Sequence, residues 1–480
     1  MKRLIALALL ALASLGAYGW DDHDMLTFLS LGGQDYAGEL VVAEKLADFL
    51  EAEKAALAPF LDDLEKRASA SMRELPARPE SLALDSRLSG LELSIAFLKA
   101  IRVNPTLPYL LFIQPAAGAP RNRRHMPLPV KAVDLFDARF PNQPFEAIVA
   151  GEQLQVLSIL TTASDEPDYG LDIGLYEDNR TNYGATYGLG TQPFGNPALH
   201  YGSQAPFHMS FPWEDPVIKA AAPFVGRGLV EYRVMQFTEL ARFAMKSGHP
   251  YWGWRFAGWA LHYMQDMAQP YHARLMPGKG TIGMLALYAA GSKADVDGAV
   301  ILLSNRHLLF EDYFYRLLST QYMDESSSPV FKAMREGTGK PVAFRERFAY
   351  DVAAKASYDR GAALDKLLVE SFPLHYTSDP AYDYGADPRK ADYDSLAVLR
   401  ETVPAQAKAL EASATAIFAD MGDYARSYMA YVRDGAARLP PRKTPVDMRA
   451  VLYISAITAF VAVLVYLLAM LAARLRQRRS

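Results

Sequence analysis

The chain is predicted to be an all-α protein. Apolar residues recur at three- and four-residue spacing through most of its length, no stretch alternates apolar with polar residues as a half-buried strand would, and no internal repeat appears. With 51% hydrophobic and 22% charged residues over 480 positions, the apolar content suffices for one large helical domain or two ordinary ones.

In chain order, Lys2 and Arg3 precede an apolar run at 4–15 and then Ala17-Tyr18-Gly19, whose small residues at alternate positions suit a signal peptidase. Residues 1–19 read as a signal peptide, so the mature chain begins at Trp20. The helical period is present at 40–67 and 86–101, with proline-rich breaks at 76–79, 105–108 and 115–129. Residues 165–215 are dense in Gly, Asp, Asn, Tyr and Pro, lack a period, and read as a long irregular loop. Helical character returns over 216–268, stops at Pro270, is interrupted by a Gly-rich stretch at 277–298, and resumes through Tyr315. Beyond "DESSSP" it covers 343–367 and 395–438, ending at "LPPRKTP".

Residues 450–473 form an uncharged, mostly apolar run, longer than the ~20 residues a helix needs to cross a bilayer. They read as a transmembrane helix, with 441–449 as linker and 474–480, holding Arg474, Arg476, Arg478 and Arg479, as a basic tail. Export of the N-terminus leaves that tail in the cytoplasm, so 20–440 is expected to be an exported domain on a single-pass anchor. The absence of cysteine excludes disulfides and thiolate ligands; any metal must be held through nitrogen and oxygen. The net charge is −4, and without the six basic residues of leader and tail, 44 basic against 54 acidic residues leave −10 for 20–449. Such a domain does not attract nucleic acid by bulk charge, and no stable nucleic-acid partner is expected.

Four groups of residues carry chemistry. In "ALHYMQDMAQPYHARL", His262 and Asp266 stand four apart on one helical face, able to hold the same ion, while Pro270 turns His272 toward a neighbouring one. In "RHLLFEDYF", His307 and Glu311 repeat that spacing. The segment 165–215 offers Asp165 and Asp168 in "SDEPDYG", His200 in "ALHYGS" and His208 in "PFHMSF". In "GWDDHD", cleavage frees the α-amino group of Trp20 near His23. The remaining histidines, His125, His249 and His375, are assigned to structure or surface.

Together these groups resemble the superfamily of zinc-dependent phospholipases C and single-strand-specific zinc nucleases. The resemblance covers Trp20 and roughly 165–315 and implies a multi-helical phospholipase C/nuclease-like domain. It implies about three zinc ions: Asp168, His208, His262 and Asp266 on one; His272, His307 and Glu311 on a second; Trp20, His23 and a bridging Asp266 on the third. His200 is an alternative to His208, and Asp165 to Asp168; His208 is preferred because the helix after it leads to His262, and Asp168 because an aspartate followed by tyrosine resembles the phospholipase pattern. His307-x3-Glu311 also resembles the phospholipase branch. Asp168 would in addition orient or deprotonate the attacking water, and Tyr169 beside it is an aromatic candidate for a quaternary ammonium headgroup.

The implied activity is that of a membrane-tethered, exported zinc phosphodiesterase acting on phospholipid headgroup esters. A nuclease or nucleotidase of the same superfamily is the nearest alternative. A helical surface protein whose metal cluster is purely structural is the alternative of a different class.

Overall fold

The computed structural model describes residues 23–115, 122, 124–135, 145–198, 200–322 and 328–436. The backbone divides after Arg438, and the second unit, Leu439–Ser480, lies outside the described residues, as do the expected leader, Trp20 and the apolar run 450–473. Among the described residues no helix is long and apolar enough to cross a membrane.

The described chain is predominantly helical, as expected, with two small sheets that the sequence pattern did not announce. Helix α1 (His23–Leu31) is followed by strand β1 (Leu40–Val42), which corrects the expected helix at 40–67: Leu40 and Val42 face outward and Val41 inward. Helix α2 (Leu46–Ser71) buries Phe49, Leu50, Leu57, Leu61 and Leu64 along one stripe. Helix α3 (Gly90–Ala100) starts four residues later than read, at a glycine with φ +57° whose N–H donates to Glu51 (2.7 Å). Strands β2 (Phe112–Ile113), β3 (Met126–Leu128) and β4 (Phe145–Ala147) form an antiparallel sheet of order β2-β4-β3, and β5 (Gln153–Gln155) pairs antiparallel with β1. Strands of two or three residues are too short to alternate recognisably.

Helix α4 (Val156–Asp165) leads into the segment expected to be irregular. That segment holds single helical turns at Glu166–Tyr169, Glu177–Asn179 and Gly184–Thr186 and then helix α5 (His200–His208), so it is more ordered than its composition suggests. Helix α6 (Pro216–Ala221) precedes α7 (Val230–Ser247), which ends at Gly248 (φ +86°), and α8 (Pro250–Met267) begins at the following proline. The expected helical stretch 216–268 is therefore three helices, because a left-handed glycine and a proline at the first helical position punctuate it. Helix α9 (Pro270–Ala273) is a single turn capped by the Gln269 side chain.

The Gly-rich stretch expected to interrupt the helices is itself helical: α10 (Thr281–Ala290) and the start of α11 (Lys293–Tyr322) occupy it. Helix α12 (Pro329–Glu336) precedes a π-helical turn at Ala349–Ala354 that runs into α13 (Lys355–Ser371), and α14 (Leu374–Thr377) follows. The expected helix 395–438 is split at Pro404 into α15 (Ser395–Thr402) and α16 (Pro404–Ala436).

The core is organised around α8, buried from Tyr251 through Met267. A helix buried on every side has no solvent face to offer, so it is sheathed, by α7 on one side and α4 on the other. Helix α16 closes the far side against α1, α7 and α12.

Candidate metal centre

Helix α8 delivers two polar side chains from its last turns into this apolar interior. His262 and Asp266 are both fully buried, and the helical rise stacks them, with His262 Nε2 3.3 Å from Asp266 Oδ2. His208, at the end of α5, places Nδ1 3.0 Å from the same oxygen and 3.0 Å from His262 Nε2. Asp168, on the turn after α4, lies 3.6 Å from His208 and 3.8 Å from His262 through Oδ1, and its Oδ2 is 3.9 Å from His23 Nε2. The second oxygen of Asp266 faces the opposite way, 3.2 Å from His272 Nδ1 and 3.8 Å from His23 Nε2. Beyond it, His272 Nε2 is 3.6 Å from Glu311 Oε1, which also lies 2.8 Å from His307 Nε2 on α11.

Eight side chains from six elements thus converge on one buried region. They form three sets able to hold a metal ion: His23, Asp168 and His262; His208, His262 and Asp266; His272, His307 and Glu311. Asp266 sits between sets with one oxygen turned to each side. Trp20, the ninth expected ligand, is outside the described residues.

The histidines are held from behind. His262 Nδ1 donates to the Ser164 carbonyl (2.7 Å), His23 Nδ1 to Gln265 Oε1 (2.7 Å), and His208 Nε2 lies 3.4 Å from Asp172 Oδ2. With the outer nitrogen donating, the inner nitrogen presents a lone pair, and the lone pairs of His208 and His262 then meet over a carboxylate oxygen. Such a set repels itself unless a cation lies among it, and an outer acceptor fixing the tautomer is what metal-binding histidines usually carry. Other inward atoms have no protein partner: His23 Nε2, Asp266 Oδ1, both nitrogens of His272 and Glu311 Oε2 are buried without a hydrogen bond. Buried polar atoms rarely stay unsatisfied, so the residues present fit a bound divalent cation.

Electrostatics agree. Burial pushes His23 down to about 3, reinforced by the neighbouring His262. Burial also opposes charge on His208 and His272, but the surrounding carboxylates prevail: Asp172, Asp266 and Asp168 push His208 up to about 10, and Asp266 and Glu311 push His272 up to about 9. Against its own burial, Asp266 is held well below the usual carboxylate range, chiefly by His262 and His272. The metal-free site has to gather protons to balance its carboxylates, and these are the charges a metal would replace.

The acids of 165–172 are sorted by their partners. Glu166 pairs with Arg255 (2.8 Å) and Asp172 with Arg233 (2.6 Å), both arginines buried. Asp165 accepts from the Asp24 backbone (3.1 Å) and from the Gln114 amide (2.6 Å). Asp168 is the one that faces the histidines, so the geometry favours it over Asp165. His208 reaches the cluster from the last turn of α5, whereas His200 stands at that helix's opposite end. Tyr169 is buried, with its hydroxyl on Gln114 and Asp165 and its ring edge-on to Phe145; this corrects its reading as a headgroup receptor. His125 lies between Glu146 and Glu152, His249 between Glu44 and Glu53, and His375 is exposed against Tyr376 and Tyr382, all away from the cluster.

The supporting residues Gln265, Gln269, Asp172 and Arg233 were not singled out from the sequence. Gln265 and Gln269 flank Asp266 in the same motif, where their amides could have been weighed as second partners; Gln269 Nε2 donates to Glu311 (3.1 Å). The Asp172–Arg233 pair spans 61 positions and left no local signal. No family model, curated protein or solved structure matches the chain.

Proposed function

We propose that the chain is an exported zinc-dependent phosphodiesterase, tethered by the apolar run 450–473, that hydrolyses phospholipid headgroup esters in the manner of a phospholipase C. The observation that supports this reading most is the convergence of His23, Asp168, His208, His262, Asp266, His272, His307 and Glu311 into three adjoining ligand sets. Structural zinc sites are usually single and closed, so adjoining sets that share His262, with the second oxygen of Asp266 turned to His272 of the third, favour catalysis over a structural role.

A bound zinc lowers the pKa of a water toward about 7 and draws charge from phosphoryl oxygens. The chain's own residues place and protonate the reactants. Asp266 gives one oxygen to each of two sets and so fixes their separation. Asp168, within 3.9 Å of three ligand histidines, orients the attacking water and takes its proton. The water oxygen bonds to phosphorus as the bond to the alcohol oxygen breaks; the proton passes to that oxygen, leaving a phosphomonoester and an alcohol. Three carboxylates offset only half the charge of three divalent ions, so the loaded site is about +3 and attracts phosphate. The lipid preference rests on His307-x3-Glu311, the −10 charge of residues 20–449, and the apolar run that would keep the site near lipid.

The test uses the full chain prepared without chelator. Close to three zinc ions per chain are expected, with faster release of phosphorylated headgroup from vesicles than of nucleotide from single-stranded DNA or RNA. Asp266→Asn should lose zinc and activity together. Faster nucleotide release would give the reaction to a nuclease, and three zinc ions with no hydrolysis would make the cluster structural.

A further inference from the structure

Helix α10 is anomalous for the surface of a globular domain. Its sequence, "TIGMLALYAA", has no charge and two hydroxyls, on Thr281 and Tyr288, yet among its ten residues Met284 alone is buried. Ile282 is 84% exposed and Tyr288 38%, and Ala286, Ala289 and Ala290 are exposed beside them. An apolar helix that leaves Ile282 and Tyr288 exposed and Leu285 and Leu287 only half-buried loses hydrophobic stabilisation unless something apolar covers it. Beneath it, between α10 and the first turns of α11, lies a groove of about 620 Å³ lined by small residues such as Gly283, Ala290 and Ala294. The helix therefore rests on the body along a narrow line.

We infer that α10 is an interfacial helix that docks this domain on a lipid bilayer. At ten residues it is about 15 Å long, half of what spanning requires, so it can meet a bilayer only by lying in its interface. Exposed lysines flank it, Lys279 before and Lys293, which pairs with Asp297, after, while the stretch 280–292 between them carries no charge. The occupant is the bilayer that the apolar run 450–473 is expected to enter. Between the end of α16 at Ala436 and the apolar run at 450 lie 13 residues, which extended cover at most about 45 Å.

The docking face adjoins the metal centre. Arg306 and Asp365 line the groove and pair at 2.8 Å; Asp365 accepts from Tyr271 (2.9 Å), whose ring stacks on His307. Helix α11 runs from the groove wall at Leu302 and Leu303 directly to His307 and Glu311. A bilayer met by α10 is thus met beside those two ligands.

The inference shares with the proposed function only the expectation that 450–473 enters a membrane, and its test needs neither metal nor turnover. The chain has no cysteine, so single cysteines label cleanly. Ile282→Cys, Ala286→Cys, Val461→Cys in the apolar run and Lys332→Cys on α12, 71% exposed at its side chain, are each made in the full chain. Each is labelled with a thiol-reactive nitrobenzoxadiazole and reconstituted into phosphatidylcholine vesicles with or without doxyl-labelled lipid. Positions 282 and 286 should shift to shorter wavelength and lose most of their emission to the quencher, while 332 does neither. Quenching at 461 without quenching at 282 and 286 overturns the docking role and leaves the anchor standing. Quenching at 282 and 286 without 461 upholds docking and removes the anchor. A shift at 282 that follows protein concentration without lipid assigns the face to a second copy and overturns the inference.

Discussion

Two groups of buried charge meet on helix α8 and resolve the same difficulty in opposite ways. Toward its middle, Glu166 is closed by Arg255 and the Trp259 indole (2.5 Å), and nearby Asp172 is closed by Arg233 on α7 and the Tyr263 hydroxyl (2.5 Å). Toward its end, Asp266 is surrounded by four histidines, of which His262 and His23 have their outer nitrogens engaged by protein acceptors, and one of its oxygens has no hydrogen bond. The first group is complete with protein atoms alone; the second leaves buried atoms unpaired in an arrangement that could hold a metal ion. Glu231 on α7 shows a third solution: it accepts from the Tyr350 backbone (3.3 Å), and burial pushes its carboxyl up to about 8, so it stays protonated at neutral pH. Burial of a carboxylate is therefore no mark of function. What closes it is.

Removing a closing partner from the complete group should have the largest effect. Arg233 donates to Asp172, Gln236 and the carbonyls of Ile101 and Arg102, and is fully buried. Arg233→Met leaves Asp172 an uncompensated charge and is expected to cost about 3–5 kcal/mol of stability, read from the urea midpoint. Arg233→Met combined with Asp172→Asn should recover part of that loss. A single variant as stable as the parent would mean that this pair does not close the group.

Glu231 gives an effect of a few kcal/mol whose size depends on pH. Its ordinary value is 4.5 and its folded value about 8. Below 4.5 both states are protonated and folding incurs no penalty; between 4.5 and 8 the unfolded chain ionises first, and stability falls as pH rises; above 8 the full penalty applies. Glu231→Gln should therefore match the parent near pH 4 and become progressively more stable than it, by on the order of a few kcal/mol at pH 9. An advantage that does not grow with pH would show that this carboxyl does not titrate in that window.

The candidate ligands were legible because a helix puts residues four apart on one face: His262 with Asp266 and His307 with Glu311 needed no tertiary information. The sequence reading preferred Asp168 with Asp165 as its substitute, and what occupies Asp165 instead is Gln114, a partner 51 positions away that no local pattern announces. Helix positions followed from periodicity, but boundaries moved wherever one residue changed the backbone, at Gly248, Pro250 and Pro404. Strands β1 to β5 were invisible because each is only two or three residues long. Helix α10 was read as an interruption because glycines surround it and Gly283 lies within it, although six of its ten residues, Met284, Leu285, Ala286, Leu287, Ala289 and Ala290, are strong apolar helix formers.

The smallest effect is the sharpest test of the comparison, because it separates support of the cluster from support of the fold. Gln265 is buried, accepts from His23 Nδ1 and donates to the Thr27 hydroxyl (3.0 Å). If the cluster holds metal, this amide fixes the ring so that Nε2 points inward, and Gln265→Leu should weaken one ion by about 10–100-fold while the others stay. Thr27→Val removes the other partner of the amide without touching His23, and should lower stability slightly with zinc unchanged. Competition against a graded chelator series, with zinc counted at each step, reads both. Equal zinc retention in parent and Gln265→Leu would mean that His23 needs no positioning or is no ligand, and the set containing Asp168 and His262 would lose its third member.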